Sequence, residues 1–256
     1  MMPLVLTPLR QIPLVQPGDA IARLVASAVR SSGLELMDED IFVITQKIVS
    51  KSEGRFVNLA AITPSSEAIA MALRSEKDPR FVELVLRETN AVLRTRPGTL
   101  IVEHKLGFVC ANAGIDHSNV QSQGGNPEDW VLLLPENPDA SADRIRAELQ
   151  AEFSKKIGVL IIDSHGRAWR IGTVGVAIGF SGIPGIVDFR GKPDMFGYTL
   201  RVTQVAAADE LAAAASLLMG QAAENIPVVH VRGFPYPLRE GSLKELIRPK
   251  ELDLFR

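Results

Sequence analysis

Two apolar segments that each lead into an aspartate constrain most strongly what this chain can fold into. Residues 107–109 precede Gly114 and Asp116, and residues 158–162 run directly into Asp163. Both segments are typical of buried strands, so the two carboxylates are expected at strand ends, beside glycine-marked turns. Hard divalent cations take oxygen ligands, and Mg²⁺ sites commonly combine one or two carboxylates with substrate phosphates. The pattern therefore predicts a divalent-metal site, whereas the simpler interpretation is that each aspartate only begins a turn.

The overall composition limits both the fold and the partners. With 256 residues the chain can bury a large core, either as one domain or as two closely packed ones. The net charge of −2, from 28 basic and 30 acidic residues, argues against a general nucleic-acid binder. The single cysteine, Cys110, excludes an intrachain disulfide, which fits the reducing cytoplasm where we expect the protein.

Neither secretion nor membrane insertion is predicted. Residues 1–5 lack the basic and long apolar regions of a signal peptide. The longest uncharged run, residues 171–187, has 17 residues including five glycines, whereas a membrane helix needs about 20 mostly apolar residues. Glycines weaken a strand, so they indicate close approach of the backbone to a ligand or to another chain. Our hypothesis is that this segment contributes to a contact between two copies, and the alternative is a mobile lid.

Helix and strand signals occur together along the chain and predict a mixed α+β architecture. Helices are expected to open at Asp19, Thr63-Pro64, Asp78-Pro79 and Asp139, because each carries a capping residue or a proline suited to the first turn. Strands are expected at residues 41–44, 99–102, 107–110, 130–134, 158–162 and 227–231, with the second and third pairing antiparallel.

Two lysines follow the strand predicted at residues 41–44. Lys47 and Lys51 are four residues apart, so they share a face if this segment is helical. Such a face can hold a polyphosphate, and a solvated basic face is the alternative. No phosphate-binding loop of the G-x-x-x-x-G-K-[ST] type and no G-x-G-x-x-G pattern is present in the sequence.

The histidines and the cysteine do not point to other chemistry. The four histidines lack the spacing of a zinc protease site. His117 and His165 each stand near a candidate aspartate, where we expect them to line the cleft. Cys110 lies in a predicted strand and is interpreted as a small core residue rather than a nucleophile.

Taken in order, five groups of residues resemble the coenzyme F420-0:L-glutamate ligase family, the γ-glutamyl ligases of deazaflavin cofactor synthesis. The similarity spans roughly residues 4 to 236. It rests on the ordered series rather than on any single motif. The groups are Ile12-Pro13-Leu14-Val15 with Gly18-Asp19, Lys47-Ile48-Val49-Ser50-Lys51 with Glu53-Gly54, Asn112-Ala113-Gly114-Ile115-Asp116 with Asn119, Asp163-Ser164 with Gly166-Arg167, and Met219-Gly220-Gln221.

The resemblance implies roles for individual residues. The implied metal ligands are Asp116, Asp163, Ser164, which replaces the usual threonine, and Gln221, where the family often has glutamate. The implied catalytic residues are Asp116, Asp163, Lys47 and Lys51. The implied nucleotide contacts are Ile12, Pro13, Leu14, Val15, Gln46, Lys47, Lys51, Asn119, Met219, Gly220, Gln221, Ala222, Ala223, Glu224, Asn225 and Ile226; Gln46-Lys47 stands where some members have Ser-Thr.

The resemblance also implies an architecture and a reaction. The expected fold is α+β, with mixed, largely antiparallel sheets and flanking helices, in an intertwined homodimer. Residues 1–256 are expected to form one catalytic unit, with two closely packed subdomains as the alternative and residues 237–256 as a peripheral tail. The expected reaction joins L-glutamate to F420-0, or to a dehydro relative, and then adds further γ-linked glutamates. It would use GTP, two Mg²⁺ or Mn²⁺ ions, K⁺ and an acyl-phosphate intermediate.

Two other classes of function remain open at this stage. The first is another metal-dependent enzyme that uses a nucleotide, either a carboxylate–amine ligase with a different substrate or a phosphohydrolase. The second is a non-catalytic nucleotide-binding protein. The paired aspartates favour an enzyme over a binding protein.

Overall fold

The computed structural model describes residues 2–120 and 123–255. Within them the helices are α1 (Ile21–Ser31), α2 (Gln46–Ser52), α3 (Ser66–Ser75), α4 (Pro79–Arg87), α5 (Pro138–Phe153) and α6 (Ala207–Met219). The strands are β1 (Val5–Leu9), β2 (Ile41–Thr45), β3 (Phe56–Asn58), β4 (Thr89–Arg96), β5 (Thr99–His104), β6 (Val109–Ala111), β7 (Trp130–Leu132), β8 (Gly158–Gly166), β9 (Thr173–Ser181), β10 (Val187–Asp188), β11 (Gln204–Val205) and β12 (Val228–Arg232).

The main sheet has five strands in the order β1-β12-β2-β8-β9. The β2–β8 pair is parallel, and the other three pairings in this sheet are antiparallel. Smaller antiparallel sheets pair β4-β5-β6, β3-β7 and β10-β11. The prediction of a mixed, largely antiparallel α+β fold is therefore confirmed, including the antiparallel pairing of β5 with β6.

The central strand β2 explains why the main sheet is covered on both faces. Residues Ile41, Phe42, Val43 and Ile44 are all fully buried. Such a continuous apolar strand needs a hydrophobic layer on each side. Phe42 and Ile44 pack with α1 and α5 on one face, and Ile41 and Val43 pack with α6 on the other. The candidate site residue Asp163 lies where β8 of this sheet continues beyond its apolar run.

A second body of structure packs beside the main sheet. Helices α3 and α4 bury their apolar faces against β5 and β7 in a separate hydrophobic cluster. Phe108 packs against both this cluster and the one beneath α1 and α5. Phe108 therefore connects the two hydrophobic clusters.

The glycine-rich strand β9 is packed against helices of the same chain. A side chain at Gly175 would lie 2.6 Å from Ala212 O of α6, and one at Gly179 would lie 2.7 Å from Asp139 N of α5. The close backbone approach is therefore intrachain, because α5 and α6 lie directly on the strand. The strand is part of the main sheet, which overturns the mobile-lid alternative. The contribution of residues 171–187 to a contact between two copies stays a prediction.

Three expected helix starts differ from the structure, and in two of them the aspartate accepts hydrogen bonds elsewhere. Asp19 accepts a hydrogen bond from Gln16 N at 2.7 Å, and α1 begins at Ile21. Asn137 caps α5, whereas Asp139 accepts from Phe180 N and Leu243 N at 2.9 and 3.0 Å. Ser65, rather than the Thr63-Pro64 pair, caps α3. Asp78 caps α4 as predicted, with Pro79 in the first turn.

The segment after residue 236 makes specific contacts with earlier parts of the chain. Leu243 is 6% exposed, and Glu245 accepts hydrogen bonds from Gly185 N and Ile186 N at 3.1 and 3.2 Å. Lys250 Nζ lies 3.0 Å from Glu103 Oε2, whose side chain is buried. Arg256, at the end of the predicted tail, lies outside the described residues. Among the described helices, none combines the length and apolar character that crossing a bilayer requires.

Candidate active site

A left-handed turn delivers Asp116 to the site. Asn112, Ala113 and Gly114 have φ of +52°, +53° and +64°. This conformation is strained for alanine, and strain of this kind is concentrated at functional sites. Asp116 then forms a short bridge to Leu132, with each backbone N donating to the other's O at 2.9 Å. The turn and the bridge together fix the direction of the Asp116 side chain.

Gly114 is required in this turn for space as well as for backbone conformation. A Cβ atom on this residue would lie 2.7 Å from Leu134 Cδ1. Real Cβ atoms do not approach carbon this closely, so either the buried Leu134 or the turn would have to move. The glycine that marked this motif in the sequence therefore supports the position of Asp116.

Both side-chain oxygens of Asp116 accept hydrogen bonds from the start of α2. Gln46 Nε2 donates to Oδ2 at 2.5 Å, and Lys47 Nζ lies 3.1 Å from Oδ1. Ser50 Oγ donates to Gln46 Oε1 at 2.9 Å, one helical turn further on. Because α2 begins directly after Thr45, the last residue of β2, its first turn is held beside Asp116. The segment is helical, so Lys47 and Lys51 lie one turn apart on α2.

Asp163 lies within a strand, contrary to the prediction that it follows a strand end. Strand β8 continues to Gly166 because β9 pairs with it along this whole stretch. Side chains alternate between the faces of a strand, so Asp163 shares a face with His165 and not with Ser164. His165 Nε2 lies 3.0 Å from Asp163 Oδ2. His165 is therefore a direct partner of the aspartate rather than only a residue of the cleft wall.

The charges of the site act on one another. Burial raises the pKa of Asp116, and the negative charge of Asp163 raises it further. The positive charge of Lys47 lowers the pKa of Asp116, but the net shift is upward. Burial also raises the pKa of Asp163, but His165 and the Lys47 ammonium more than offset it, so the net shift is downward. The two carboxylates and Lys47 thus form one electrostatic group.

Lys51 differs from Lys47 in its surroundings. Burial and the positive charge of Lys47 lower the pKa of Lys51, and Asp116 partly opposes them. Within residues 2–120 and 123–255, Lys51 makes no salt bridge, whereas Lys47 does. The Lys51 ammonium can therefore interact with solvent or with a ligand.

Ser164 lies on the opposite side of the sheet from Asp163. Its cross-strand partner is Gly175, which faces Ala212 and Ser216 of α6. Gln221 follows the end of α6 by two residues and is exposed. The four predicted ligands therefore divide between the two faces of β8, with Asp116 and Asp163 on one and Ser164 on the α6 side. No contact in the described part of the chain joins Gln221 to the acidic pair.

Three of the predicted nucleotide-binding regions are connected at the site. Lys47 Nζ donates to Ser118 O at 3.0 Å, and Asn119 Nδ2 donates to Ala222 O at 3.1 Å. These bonds connect α2, the segment after Asp116 and the loop of residues 220–226. Glu224 Oε2 accepts from Ala222 N at 2.8 Å and holds the loop in a tight turn.

The remaining predicted nucleotide contacts differ in exposure. The segment of residues 12–18 lies along the end of α2, where Gly18 N donates to Ser52 O at 2.8 Å. In this segment Leu14 is 70% exposed, whereas Ile12 and Val15 are core residues. Met219 is also buried, while residues 221–225 are exposed. The exposed members can contact a ligand directly, and the buried ones fix the position of the backbone.

Sequence reasoning missed two partners in the site. Ser118 supplies its backbone O at 3.0 Å and its Oγ at 3.2 Å to Lys47. Ser50 orients Gln46, and the spacing of four residues inside a predicted helix was the available signal. The interaction of Ser118 with Lys47 had no signal in the local sequence, because it joins positions 71 residues apart.

The donor set suits a cation that also binds a substrate. No group of three or more His, Cys, Asp and Glu side chains is placed to enclose a metal ion in the described ranges. Two neighbouring carboxylates with no complete protein cage are the arrangement expected of Mg²⁺, which keeps waters and substrate phosphates as ligands.

Comparisons with known proteins agree with this description. The family model described as F420-0:Gamma-glutamyl ligase matches residues 10–233. A protein named Coenzyme F420:L-glutamate ligase from Methanothermobacter thermautotrophicus is 47% identical over 247 residues, which is 96% of each chain. Proteins of the same name from Methanococcus maripaludis strain C6 and Methanocaldococcus jannaschii are 48% and 45% identical; the matches cover 86% of this chain in both cases and 86% and 85% of the relatives.

Proposed function

Because the chain belongs to the F420-0:γ-glutamyl ligase family, we propose that it is a GTP-dependent ligase that joins L-glutamate to F420-0 and then adds further γ-linked glutamates. One observation carries the chemical part of the proposal. Asp116 and Asp163, 47 positions apart in the sequence, interact electrostatically beside Lys47 and Lys51. This arrangement suits the binding of a metal–polyphosphate complex.

The carboxylate pair fits Mg²⁺ or Mn²⁺. Asp116 and Asp163 would hold one ion, and Ser164 with Gln221 would hold a second on the α6 side of β8. Such ions neutralise charge on the transferring phosphoryl group and orient it. His165 keeps one oxygen of Asp163 engaged, which leaves the other oxygen for a ligand. Replacing the glutamate that is frequent at position 221 by glutamine removes one negative charge, so the second ion is expected to bind more weakly.

The chain's own residues would place the nucleotide between α2 and the loop of residues 220–226. Lys51 offers a charge without a protein partner in the described segments and would contact the polyphosphate. Asn119 holds the loop through Ala222, so loop and phosphates would be fixed together. The exposed Leu14 beside the end of α2 would cover another part of the nucleotide.

The proposed reaction proceeds in two transfers. A carboxylate oxygen of the precursor attacks the γ-phosphorus of GTP, so GDP leaves and an acyl phosphate forms. The amino group of L-glutamate then attacks the acyl carbon and loses a proton, an amide forms, and inorganic phosphate leaves. Catalysis of this kind depends on positioning and charge neutralisation and needs no enzyme nucleophile. Burial raises the pKa of the Cys110 thiol to about 12, which makes it unsuitable as one.

The proposed homodimer is supported by exposed apolar residues. Ile171, at the end of the β8–β9 hairpin, is fully exposed. Met195, Phe196 and Val202 between β10 and β11 are 88%, 87% and 86% exposed, and Leu217 on α6 is 84% exposed. A contact between two copies would bury such exposed apolar side chains. Light scattering is expected to give twice the chain mass, and Phe196→Ser is expected to shift the protein toward monomer; a monomeric wild type would contradict this part.

The activity itself is tested by mass spectrometry of F420-0 incubated with enzyme, GTP, Mn²⁺ and L-glutamate. The expected product carries one or more added glutamyl groups, and GDP is released over many turnovers only when glutamate and F420-0 are both present. Sustained GDP formation without F420-0 would indicate a phosphohydrolase. Nucleotide binding without turnover would indicate a binding protein. Parallel reactions with ATP, and with Na⁺ in place of K⁺, test the proposed preference for GTP and the proposed stimulation by K⁺.

A further inference from the structure

Lys47 is bound to protein acceptors at every donor position that an ammonium group has. Its Nζ lies 3.1 Å from Asp116 Oδ1, 3.0 Å from Ser118 O and 3.2 Å from Ser118 Oγ. A lysine ammonium has three donors and no acceptor, so these three contacts satisfy it. Lys51, one turn later on α2, makes no such contacts among residues 2–120 and 123–255. The two lysines therefore have different roles, although the sequence presents them as a matched pair.

The Lys47 ammonium is also a positive charge beside the acidic pair. It acts on both Asp116 and Asp163 and favours the ionised form of each. A divalent cation bound to Asp116 would sit at about 2.0–2.1 Å from a carboxylate oxygen. One of those oxygens already accepts from Lys47 and the other from Gln46. A metal ion and Lys47 would thus compete for the same oxygen and repel each other.

From this geometry we infer that Lys47 is an internal counter-ion of the Asp116–Asp163 pair that competes with the divalent cation until a nucleotide polyphosphate provides it with another anionic partner. The inference rests on the proposed function, because it takes Asp116 as a metal ligand. Its consequence is positive coupling between metal and nucleotide: each binds more tightly in the presence of the other. Free metal would bind poorly, and the metal–nucleotide complex would bind well.

The test measures Mn²⁺ affinity by electron paramagnetic resonance at neutral pH, without nucleotide and then with a non-hydrolysable GTP analogue. Without nucleotide, Lys47→Met is expected to bind Mn²⁺ at least about fivefold more tightly than wild type, a change within the usual range of coupling. The analogue is expected to tighten Mn²⁺ binding in wild type and to do so less in Lys47→Met. Lys77→Met, at a lysine that packs over the Phe81 ring, is the matched control and is expected to leave Mn²⁺ affinity without nucleotide unchanged.

Two further variants make the outcome decisive. Lys47→Gln repeats the test with a polar replacement, and circular dichroism verifies that both Lys47 variants fold. Unchanged or weaker Mn²⁺ binding in both of them, with weaker binding in Asp116→Asn, would overturn the counter-ion role and leave the metal site in place. Unchanged Mn²⁺ binding in Asp116→Asn would instead overturn the metal site of the proposed function, and this inference with it.

Discussion

Nε2 of His165 lies 3.0 Å from Oδ2 of Asp163, two residues away on the same face of β8. The contact depends on the extension of β8 beyond the apolar run, since only the alternation of a strand brings positions 163 and 165 to the same side. Phe108 packs against the other side of His165, with ring centroids 5.2 Å apart. His165 thus fixes the Asp163 side chain, and the packing of Phe108 fixes His165.

We expect Asp116→Asn and Asp163→Asn each to abolish ligation while leaving the fold largely intact. Loss of a ligand charge weakens metal binding and phosphate neutralisation together. Activity assays across Mn²⁺ concentrations measure this effect, and Asp143→Asn, on the exposed face of α5, is the matched control. Near-normal turnover at low Mn²⁺ concentration in either site variant would show that the residue is not a metal ligand.

Lys51→Met is expected to weaken nucleotide binding substantially and to change glutamate binding little. The reason is that the Lys51 ammonium acts on phosphate as a point charge and has no salt-bridge partner in the described ranges. Titration calorimetry with a GTP analogue measures the affinity. Lys77→Met makes the same chemical change at a second half-buried lysine whose pKa is also lowered by burial. Equal nucleotide affinity in all three proteins would return Lys51 to the interpretation of a solvated basic face.

Gly114→Ala is expected to reduce stability more than Gly33→Ala. Both glycines have nearly the same φ, +64° and +66°, so the backbone strain of about 1–2 kcal/mol is common to both variants. A Cβ atom at position 33 meets nothing within 4 Å, whereas at position 114 it meets Leu134. Overpacking should add about 1–3 kcal/mol. If urea unfolding shows the same loss of unfolding free energy in both variants, Leu134 moves aside without a measurable cost.

At the other end of β2, Asp40 makes stability depend on acid pH. Burial raises the pKa of Asp40. Arg232 at 2.7 and 2.9 Å, His230 at 2.9 Å and the Met37 N–H more than offset this effect, so the net shift is strongly downward. The resulting stability is fully present above the unfolded pKa of about 3.9 and is lost as pH falls through the folded value. Urea unfolding from pH 7 downward is expected to show this loss below about pH 4.

Arg232→Met isolates the contribution of this ion pair. Removing the arginine leaves Asp40, which is 1% exposed, without its main partner and should destabilise the protein by about 3 kcal/mol at neutral pH. The pKa of Asp40 should then rise, so the variant is expected to lose less stability on acidification than wild type. Parallel pH profiles of the two proteins would rule out this account.

The sequence was sufficient for elements whose signals are local and apolar. β2 and its continuation into α2 were predictable from a β-branched run followed by helical spacing, and the β5–β6 hairpin from two neighbouring apolar runs. Helix starts at Asp19 and Asp139 were wrong because both carboxylates accept hydrogen bonds from other backbone amides. Local capping preference cannot anticipate a partner that is 41 residues away, as it is for Asp139 and Phe180.

The sequence predicts the acidic pair, the two lysines and the Asn119 segment as members of the site, and their roles stay predictions. The geometry of the site could not be predicted from local patterns. Pairing with β9 extends β8 through Asp163, and this extension places Ser164 on the other side of the sheet. Likewise, the left-handed turn that directs Asp116 includes Ala113, a residue with no preference for that conformation. Such features depend on tertiary packing, which local patterns do not contain.

Isotope transfer from the precursor carboxylate tests the central claim most directly. F420-0 labelled with ¹⁸O in its carboxylate is incubated with enzyme, GTP, Mn²⁺ and L-glutamate, and both the product and the released phosphate are analysed by mass spectrometry. An acyl-phosphate route predicts that the product gains a glutamyl group and keeps one ¹⁸O while the phosphate carries the other. Unlabelled phosphate alongside an unmodified precursor would contradict the account, because it would mean that water, and not the precursor carboxylate, attacks the nucleotide.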